Sequence, residues 1–160
     1  MERINKILKH ADFQKHIAKN NMAEAQRRFC HHDMGHFLDV ARIAMILNEK
    51  EQLGISEEWI YAAALLHDIG RWKQYEDGTR HEVASYEFAP KILEEVGFEE
   101  TERAAILSAI LEHRNSEKTE EASFDGLLYR ADKMSRSCFA CEMESECNWK
   151  AEKKNMRLIF

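Results

Sequence analysis

Three short stretches of the chain combine apolar residues with a histidine or an aspartate. They are HFLDVARIA, which begins at His36, AAALLHDIGR, which contains the adjacent His67 and Asp68, and LLYRADKM, which contains Asp132. Burying a carboxylate among apolar residues is costly unless it is paired or binds a cation. Imidazole and carboxylate together suit Fe, Mn, Co, Ni or Zn. We therefore predict that these four side chains bind a divalent transition-metal ion.

The order of these residues resembles the HD superfamily of metal-dependent phosphohydrolases. The resemblance rests on His36, the His67–Asp68 pair and Asp132, and it covers roughly residues 30–136. It implies an all-α fold, an HD-domain helical bundle with the metal site between helices. It also implies that metal-activated water hydrolyses a small phosphate ester.

Two later histidines bear on the number of metal ions. His81 opens the string HEVASYEFA, and His113 closes AILSAILEH. The sequence is similar here to dinuclear members of the superfamily, which include bacterial enzymes that split dinucleoside polyphosphates. In that interpretation both histidines bind a second ion, Asp68 bridges the two ions, and the substrate is a nucleotide or dinucleotide. The alternative is a surface histidine at a helix start and a dipole-stabilised histidine at a helix end.

Two basic residues adjoin the proposed ligands. Arg71 follows the His-Asp pair closely, and Lys133 follows Asp132 directly. The donors of a guanidinium suit phosphate oxygens, and the resemblance supports a basic residue at the position of Arg71. We predict that Arg71 and Lys133 act on the phosphate beside Asp68. The alternative is that both are exposed charges.

The remaining histidines carry a weaker signal. His31 and His32 precede His36, and we interpret them as surface residues near a helix cap rather than as part of the site. His10 and His16 fall on the expected exposed face of an N-terminal helix.

Two other functions stay open on the same residues. Some dinuclear proteins of this fold hold two irons and oxidise a substrate with dioxygen, and their ligands are also histidines and aspartates. A non-catalytic nucleotide-binding module is the other alternative. We expect a degenerate ligand set in such a module, whereas every ligand position is present here.

The four cysteines form a separate pattern. Cys138, Cys141 and Cys147 have the spacing C-x2-C-x5-C, and Cys30 lies far upstream. In a reducing compartment such cysteines are free thiols or metal ligands rather than disulfides. A tetrahedral zinc ion or an iron–sulfur cluster needs four ligands, and Cys30 is the candidate for the fourth. The alternative is four unrelated reduced thiols.

Helices must position these residues. An amphipathic helix is predicted over residues 2–19, with Ile4, Ile7 and Leu8 on one side. Another helix is predicted to begin after Ser56 as N-cap and to end at Gly70. Residues 71–80 are polar and read as a loop, and residues 137–160 allow a last helix. The other predicted helices cover residues 22–29, 34–53, 81–96, 99–113 and 123–136.

Length and composition bound the remaining choices. The chain has 160 residues, is 44% hydrophobic and carries a net charge of −6 with a pI near 5.8. It suits a single HD domain over residues 1–160, with a motif-bearing core at about 30–136 and a cysteine-containing extension at 137–160. An acidic surface is a poor nucleic-acid binder. With no long apolar run, we expect a cytoplasmic protein without a membrane partner, whose oligomeric state stays open.

Overall fold

The computed structural model describes residues 1–159, and within them it is all-helical and contains no strand. The predicted all-α class is therefore confirmed. Short 3₁₀ turns lie in the C-terminal third of the chain, at Ser116–Glu120, Cys138–Ala140, Glu144–Glu146 and Ala151–Lys153. The α-helices of this part are, in chain order, α1 (Glu2–Lys9), α2 (Ala11–Ala23), α3 (Met34–Glu51), α4 (Glu57–Leu66), α5 (Arg71–Asp77), α6 (His81–Glu95), α7 (Glu100–Glu112) and α8 (Phe124–Met134).

The core lies between α3, α4, α7 and α8. Helix α3 packs against α4 and α8, and α7 packs against α4, α6 and α8. The apolar stripe predicted for α3 is buried as expected at Phe37, Val40, Ala41 and Ala44. After its acidic first turn, helix α4 is apolar and largely buried, so the residues that follow its C-terminal end lie in the interior.

The N-terminal region departs from the prediction in two places. The helix expected over residues 2–19 breaks at His10, whose extended backbone and Nδ1 atom cap α2 by accepting from the Asp12 N–H. The prediction of a helix over residues 22–29 is wrong, because α2 ends at Ala23 and a loop leads to α3. Glu24 lies at this point with its side chain turned inward and buried, so the chain leaves the helical path there.

The polar segment after the His-Asp pair is helical rather than a loop. Gly70 is the N-cap of α5, and Gly78 ends this helix with a φ of 82°. Trp72 stacks on Phe88 of α6 with ring centroids 5.8 Å apart. This tertiary contact holds a helix whose own sequence lacks an apolar stripe.

The C-terminal segment forms short 3₁₀ turns instead of the last helix that its composition allows. Among residues 137–159, Cys138 is the one buried side chain. Asn155 anchors the segment, because its Nδ2 donates to the carbonyl oxygens of Lys133 at 2.7 Å and Arg136 at 2.9 Å. In the described part of the chain, no helix has both the length and the apolar character needed to cross a bilayer.

Candidate metal centre

Three helices bring four of the predicted ligands together. His36 lies in the first turn of α3, which Asp33 caps by accepting from the His36 N–H at 3.0 Å. Nε2 of His36 lies 3.3 Å from Oδ1 of Asp132 on α8 and 3.6 Å from Oδ2 of Asp68. Nε2 of His67, just after α4, lies 3.1 Å from the same Asp68 oxygen. All four side chains are buried.

A second group shares Asp68. Oδ1 of Asp68 lies 3.2 Å from Nε2 of His81 and 3.5 Å from Nε2 of His113. In each of the two groups, the atoms that could bind a metal lie within 4.8 Å of one another. Among residues 1–159 neither group includes a cysteine. Asp68 thus turns one carboxylate oxygen towards each group.

Backbone carbonyls determine which ring nitrogen carries the proton in two of the histidines. Nδ1 of His67 lies 2.7 Å from the carbonyl oxygen of Ala64, and Nδ1 of His113 lies 2.6 Å from that of Ile110. A carbonyl oxygen only accepts, so both Nδ1 atoms carry a hydrogen. The Nε2 lone pairs of the neutral rings therefore point into the centre, as metal-binding histidines require.

His36 is oriented in the same way by a hydroxyl. The Ser135 hydroxyl donates to the carbonyl oxygen of Asp132 at 2.7 Å, so its oxygen can accept from Nδ1 of His36 at 3.1 Å. Nε2 of His36 is then an acceptor, and it lies 3.1 Å from the Arg136 guanidinium. Without a further cation between them, the Nε2 atoms of His36 and His67 would also face the carboxylate oxygens of Asp68 and Asp132.

Orphaned atoms at the centre match this requirement for positive charge. Nε2 of His67 and Oδ1 of Asp68 are buried and make no hydrogen bond. Burial lowers the pKa of His67, but the Asp68 and Asp132 carboxylates outweigh it and raise the pKa to about 10. Burial raises the pKa of Asp68, yet the imidazoles, His67 foremost, hold it well below its usual range. A proton can supply the charge, and so can a divalent ion, which these buried groups could bind.

A buried pair that the sequence analysis missed adjoins this centre. His32 is buried rather than on the surface as expected, and its Nδ1 lies 2.6 Å from Oε1 of Glu24. Glu24 also accepts from the His32 backbone N–H and, at 2.8 Å, from the Tyr75 hydroxyl. Burial raises the pKa of Glu24, but the hydrogen bonds and charge of His32, together with the Tyr75 hydroxyl, outweigh it and lower the pKa to about 2. Nε2 of His32 is left 3.9 Å from Oδ2 of Asp68.

The two predicted phosphate-binding cations both lie beside the centre. The Arg71 guanidinium donates to Oε1 of Gln74 at 3.0 Å and lies 2.7 Å from Nδ1 of His81. Nζ of Lys133 donates to Oδ2 of Asp132 at 2.5 Å. Both cations therefore also hold proposed ligands, a contact that sequence spacing did not indicate.

Two contacts fix the turn that carries the His-Asp pair. Nδ2 of Asn20 donates to the carbonyl oxygen of Asp68 at 2.8 Å, and Oδ1 of Asn20 accepts from the Trp72 N–H at 2.8 Å. The Gly70 N–H donates to Oγ of Ser85 at 2.9 Å. A Cβ on Gly70 would lie 2.5 Å from the Ser85 backbone nitrogen, so only glycine lets the turn approach α6 this closely.

A cavity of about 410 Å³ opens from the centre towards solvent. Its walls include Asp68, His81 and Asp132 from the centre, and the aromatic rings of Phe29 and Trp149. The cations that line it are Arg27, Arg71, Arg114, Lys133, Arg136 and Lys154. The four cysteines also line this cavity, one from the loop before α3 and three from the segment after α8.

Comparison with known proteins agrees with this geometry. Residues 34–137 match the HD domain family, so the chain belongs to that family, whose members are typically metal-dependent hydrolases. A relative from Clostridium beijerinckii (strain ATCC 51743 / NCIMB 8052) is 45% identical over 160 residues, which is 100% of both chains. It is described only as an uncharacterized protein. No solved structure matches the chain significantly.

Proposed function

We propose that this protein is a metal-dependent phosphohydrolase whose substrate is a small molecule with more than one phosphate, a nucleotide or dinucleotide. The observation that carries the proposal is the pairing of the buried His/Asp centre with a cationic cavity. Six Lys and Arg residues line that cavity, although the whole chain has a net charge of −6. Such focusing of positive charge in one cleft favours a polyanion over a neutral substrate.

The proposal assigns the two ligand groups to two ions. One ion would be held by His36, His67, Asp68 and Asp132, and the other by Asp68, His81 and His113. When bound, such ions neutralise phosphate charge and make water acidic enough to act as the nucleophile near neutral pH. The shared Asp68 supports two ions, because each of its oxygens faces a different group.

The chain's own cations have a separate role in this proposal. Arg71 and Arg114 line the cavity beside His81 and present guanidinium donors that suit phosphate oxygens. Arg114 is exposed, so it can bind the outer phosphate of a longer chain. The six proposed ligands are four neutral imidazoles and the two carboxylates Asp68 and Asp132. With two divalent ions bound, the centre would therefore carry a net positive charge, which attracts phosphate.

Aromatic residues support a nucleoside part in the substrate. Trp149 and Phe29 both line the cavity and are only half-buried. Their exposed ring faces can stack on a base, an interaction worth about 1–3 kcal/mol per base. The cavity of about 410 Å³ accommodates a compact ligand rather than a nucleic-acid strand.

The test is a metal-by-substrate screen on tag-free protein purified without chelators. The protein is stripped and reloaded with Mn, Fe, Co, Ni or Zn, and phosphate release is measured from nucleotides, dinucleoside polyphosphates and p-nitrophenyl phosphate. We expect metal-dependent release under argon as well as in air. Trp149→Ala should raise KM for nucleotides several-fold and leave p-nitrophenyl phosphate unaffected, and Trp149→Phe should behave like the wild type.

Two results would contradict the proposal. Folded, metal-loaded protein that releases phosphate from none of these compounds points to a non-catalytic nucleotide-binding module. Product formation that requires dioxygen, with two irons bound, points to the oxygenase alternative.

A further inference from the structure

The four cysteines line one cavity although they lie far apart in the chain. Cys30 is in the loop between α2 and α3, whereas Cys138, Cys141 and Cys147 follow α8. All four line the cavity beside the His/Asp centre, and none forms a disulfide. The proposed hydrolysis uses none of them, so their convergence needs its own explanation, and that explanation does not rest on the proposed function.

Short turns present the three C-terminal thiols to the same cavity. Cys138 opens a 3₁₀ turn in which the Cys141 N–H donates to the Cys138 carbonyl oxygen at 3.2 Å. A second turn ends at Cys147, whose N–H donates to the carbonyl oxygen of Glu144 at 3.2 Å. Lys154 joins this turn to the rest of the segment by donating to Glu144 at 2.7 and 2.8 Å.

One arginine orders the upstream loop, and another links this loop to the C-terminal segment. Nε of Arg27 donates to the carbonyl oxygen of Cys30 at 2.8 Å. The Arg136 guanidinium, two residues before Cys138, donates to the carbonyl oxygen of His31 at 2.9 Å. Both arginines and Lys154 line the same cavity as the thiols and would offset the negative charge of thiolates.

The segment that carries three of the cysteines has almost no core of its own. From residue 137 to 159 only Cys138 is buried, and Phe139, Met156 and Leu158 are exposed. Ordering a backbone costs about 1–2 kcal/mol per residue, which such a segment cannot recover through apolar burial. Small segments of this kind are ordered in other proteins by a metal ion, whose binding supplies the folding free energy.

We propose that Cys30, Cys138, Cys141 and Cys147 together bind one thiolate-ligated metal centre, a zinc ion or an iron–sulfur cluster, at the wall of the cavity. This centre fastens the C-terminal segment to the loop before α3. It is separate from the His/Asp centre, which takes nitrogen and oxygen ligands, because thiolates select softer metal chemistry.

The distances between the cysteine sulfurs distinguish a zinc ion from an iron–sulfur cluster. Zinc holds four sulfurs at about 2.3 Å from one ion. In a [4Fe–4S] cluster each cysteine binds a different iron atom, so the four sulfurs are farther apart than around one zinc ion. No three of these thiols are within 4.8 Å of one another in the described chain, so zinc would have to draw them closer than a cluster would.

The experiment measures zinc, iron and acid-labile sulfide per chain after anaerobic purification. Wild-type protein is compared with Cys141→Ser, Cys147→Ser and the control Ser145→Ala, which alters an exposed residue of the same segment. Asp68→Asn is included because it weakens the His/Asp centre and leaves the cysteines intact. Thiol titration of native wild-type protein, with and without chelator, gives a readout that does not depend on any variant folding.

We expect native thiols that react only after chelation or denaturation, and cysteine-bound metal that persists in Ser145→Ala and also in Asp68→Asn, which loses only the metal of the His/Asp centre. Each cysteine variant should lose the cysteine-bound metal and become more sensitive to proteolysis after residue 135. A loss of one zinc per chain in the cysteine variants, without sulfide in the wild type, identifies zinc, and a loss of iron together with sulfide identifies a cluster. Four freely reactive native thiols, or metal and sulfide contents unchanged in the cysteine variants, would overturn the proposal.

Discussion

Oδ1 of Asp68 lies 3.2 Å from Nε2 of His81, although helix α5 separates the two residues in the chain. The other oxygen of Asp68 faces His67 and His36, so one carboxylate connects both ligand groups. Loss of its charge should therefore affect both groups at once, whereas loss of a histidine should affect one.

Asp68→Asn keeps the shape of the side chain and removes its charge. We expect loss of bound metal from both groups and a fall in kcat of about 100-fold or more, since even residues that only orient ligands contribute 10–100-fold. Metal analysis and single-substrate kinetics measure this. Asp39→Asn, on the exposed face of α3, is the matched control and should retain both properties. Full metal content in Asp68→Asn would disprove the ligand assignment.

His113→Ala tests the second group alone. Because His113 contacts Asp68 and His81 but none of the other ligands within hydrogen-bonding distance, we expect the metal content to fall by up to one ion per chain. The ion held near His36 should remain, and circular dichroism should show an unchanged helix content. His31→Ala, which alters an exposed histidine, serves as the control. An unchanged metal count would leave His113 with a structural role.

Arg71→Ala tests whether this cation acts on the substrate. The variant loses guanidinium donors at the cavity wall, so KM for a phosphate substrate should rise and kcat fall, together by about 10-fold or more. Metal content at saturating metal should be unchanged. Lys73→Ala, a cation on the same helix that pairs with Glu76 and Asp77, is the control. Loss of metal would mean that the contact between Arg71 and His81 is its main role.

His32→Ala removes the buried imidazole that Glu24 orients beside Asp68. His32 belongs to neither ligand group, so we expect the metal to stay bound while kcat falls by about 10–100-fold. Tyr75→Phe removes only the hydroxyl that donates to Glu24 and should have a smaller effect in the same direction. Metal loss from His32→Ala would instead make His32 a ligand.

His16 predicts a pH dependence of stability outside the metal centre. Its ring stacks on Phe88 at 4.2 Å and accepts from Nε1 of Trp72 at 3.1 Å, and burial lowers its pKa to about 4. Between that value and the unfolded pKa of about 6.5, the unfolded chain takes up a proton that the folded chain does not. Stability should therefore be highest above pH 6.5 and fall as the pH drops towards 4, by about 2 kcal/mol from this residue.

Urea unfolding of wild type and His16→Phe at several pH values isolates this contribution. The informative quantity is the difference between the two proteins, because contributions that they share cancel in it. The difference should change between pH 6.5 and 4 and be constant above pH 7. A difference independent of pH would show that His16 is protonated equally in both states.

The sequence predicted most of the helices because their apolar residues recur with helical spacing. The predicted helices over 81–96, 99–113 and 123–136 are confirmed to within a few residues by α6, α7 and α8. Helix α5 was missed because its burial comes from Trp72 packing on α6, a contact that no local pattern reveals. His16 was expected to be exposed for the same reason, since Trp72 and Phe88 cover it from distant positions.

The ligand candidates could be found because each adjoins an apolar string. His32 could not, because its neighbourhood is polar and its burial depends on Glu24, eight residues earlier in a segment that local patterning assigned to a helix. Asn20 gave no signal either, since its two hydrogen bonds reach the turn around Asp68 and Trp72. A residue that orients a ligand from a distant position in the sequence can be identified only once the fold is known.

Asn20 lies outside residues 34–137, the part shared with the HD domain family, yet its amide bonds to both sides of the turn that presents the His-Asp pair. Glu24 and His32 also precede that part. A fragment trimmed to the shared residues would thus keep every proposed His and Asp ligand and lose the groups that aim them. Because of these hydrogen bonds, we expect the smallest fragment that binds metal as the whole chain does to include α2.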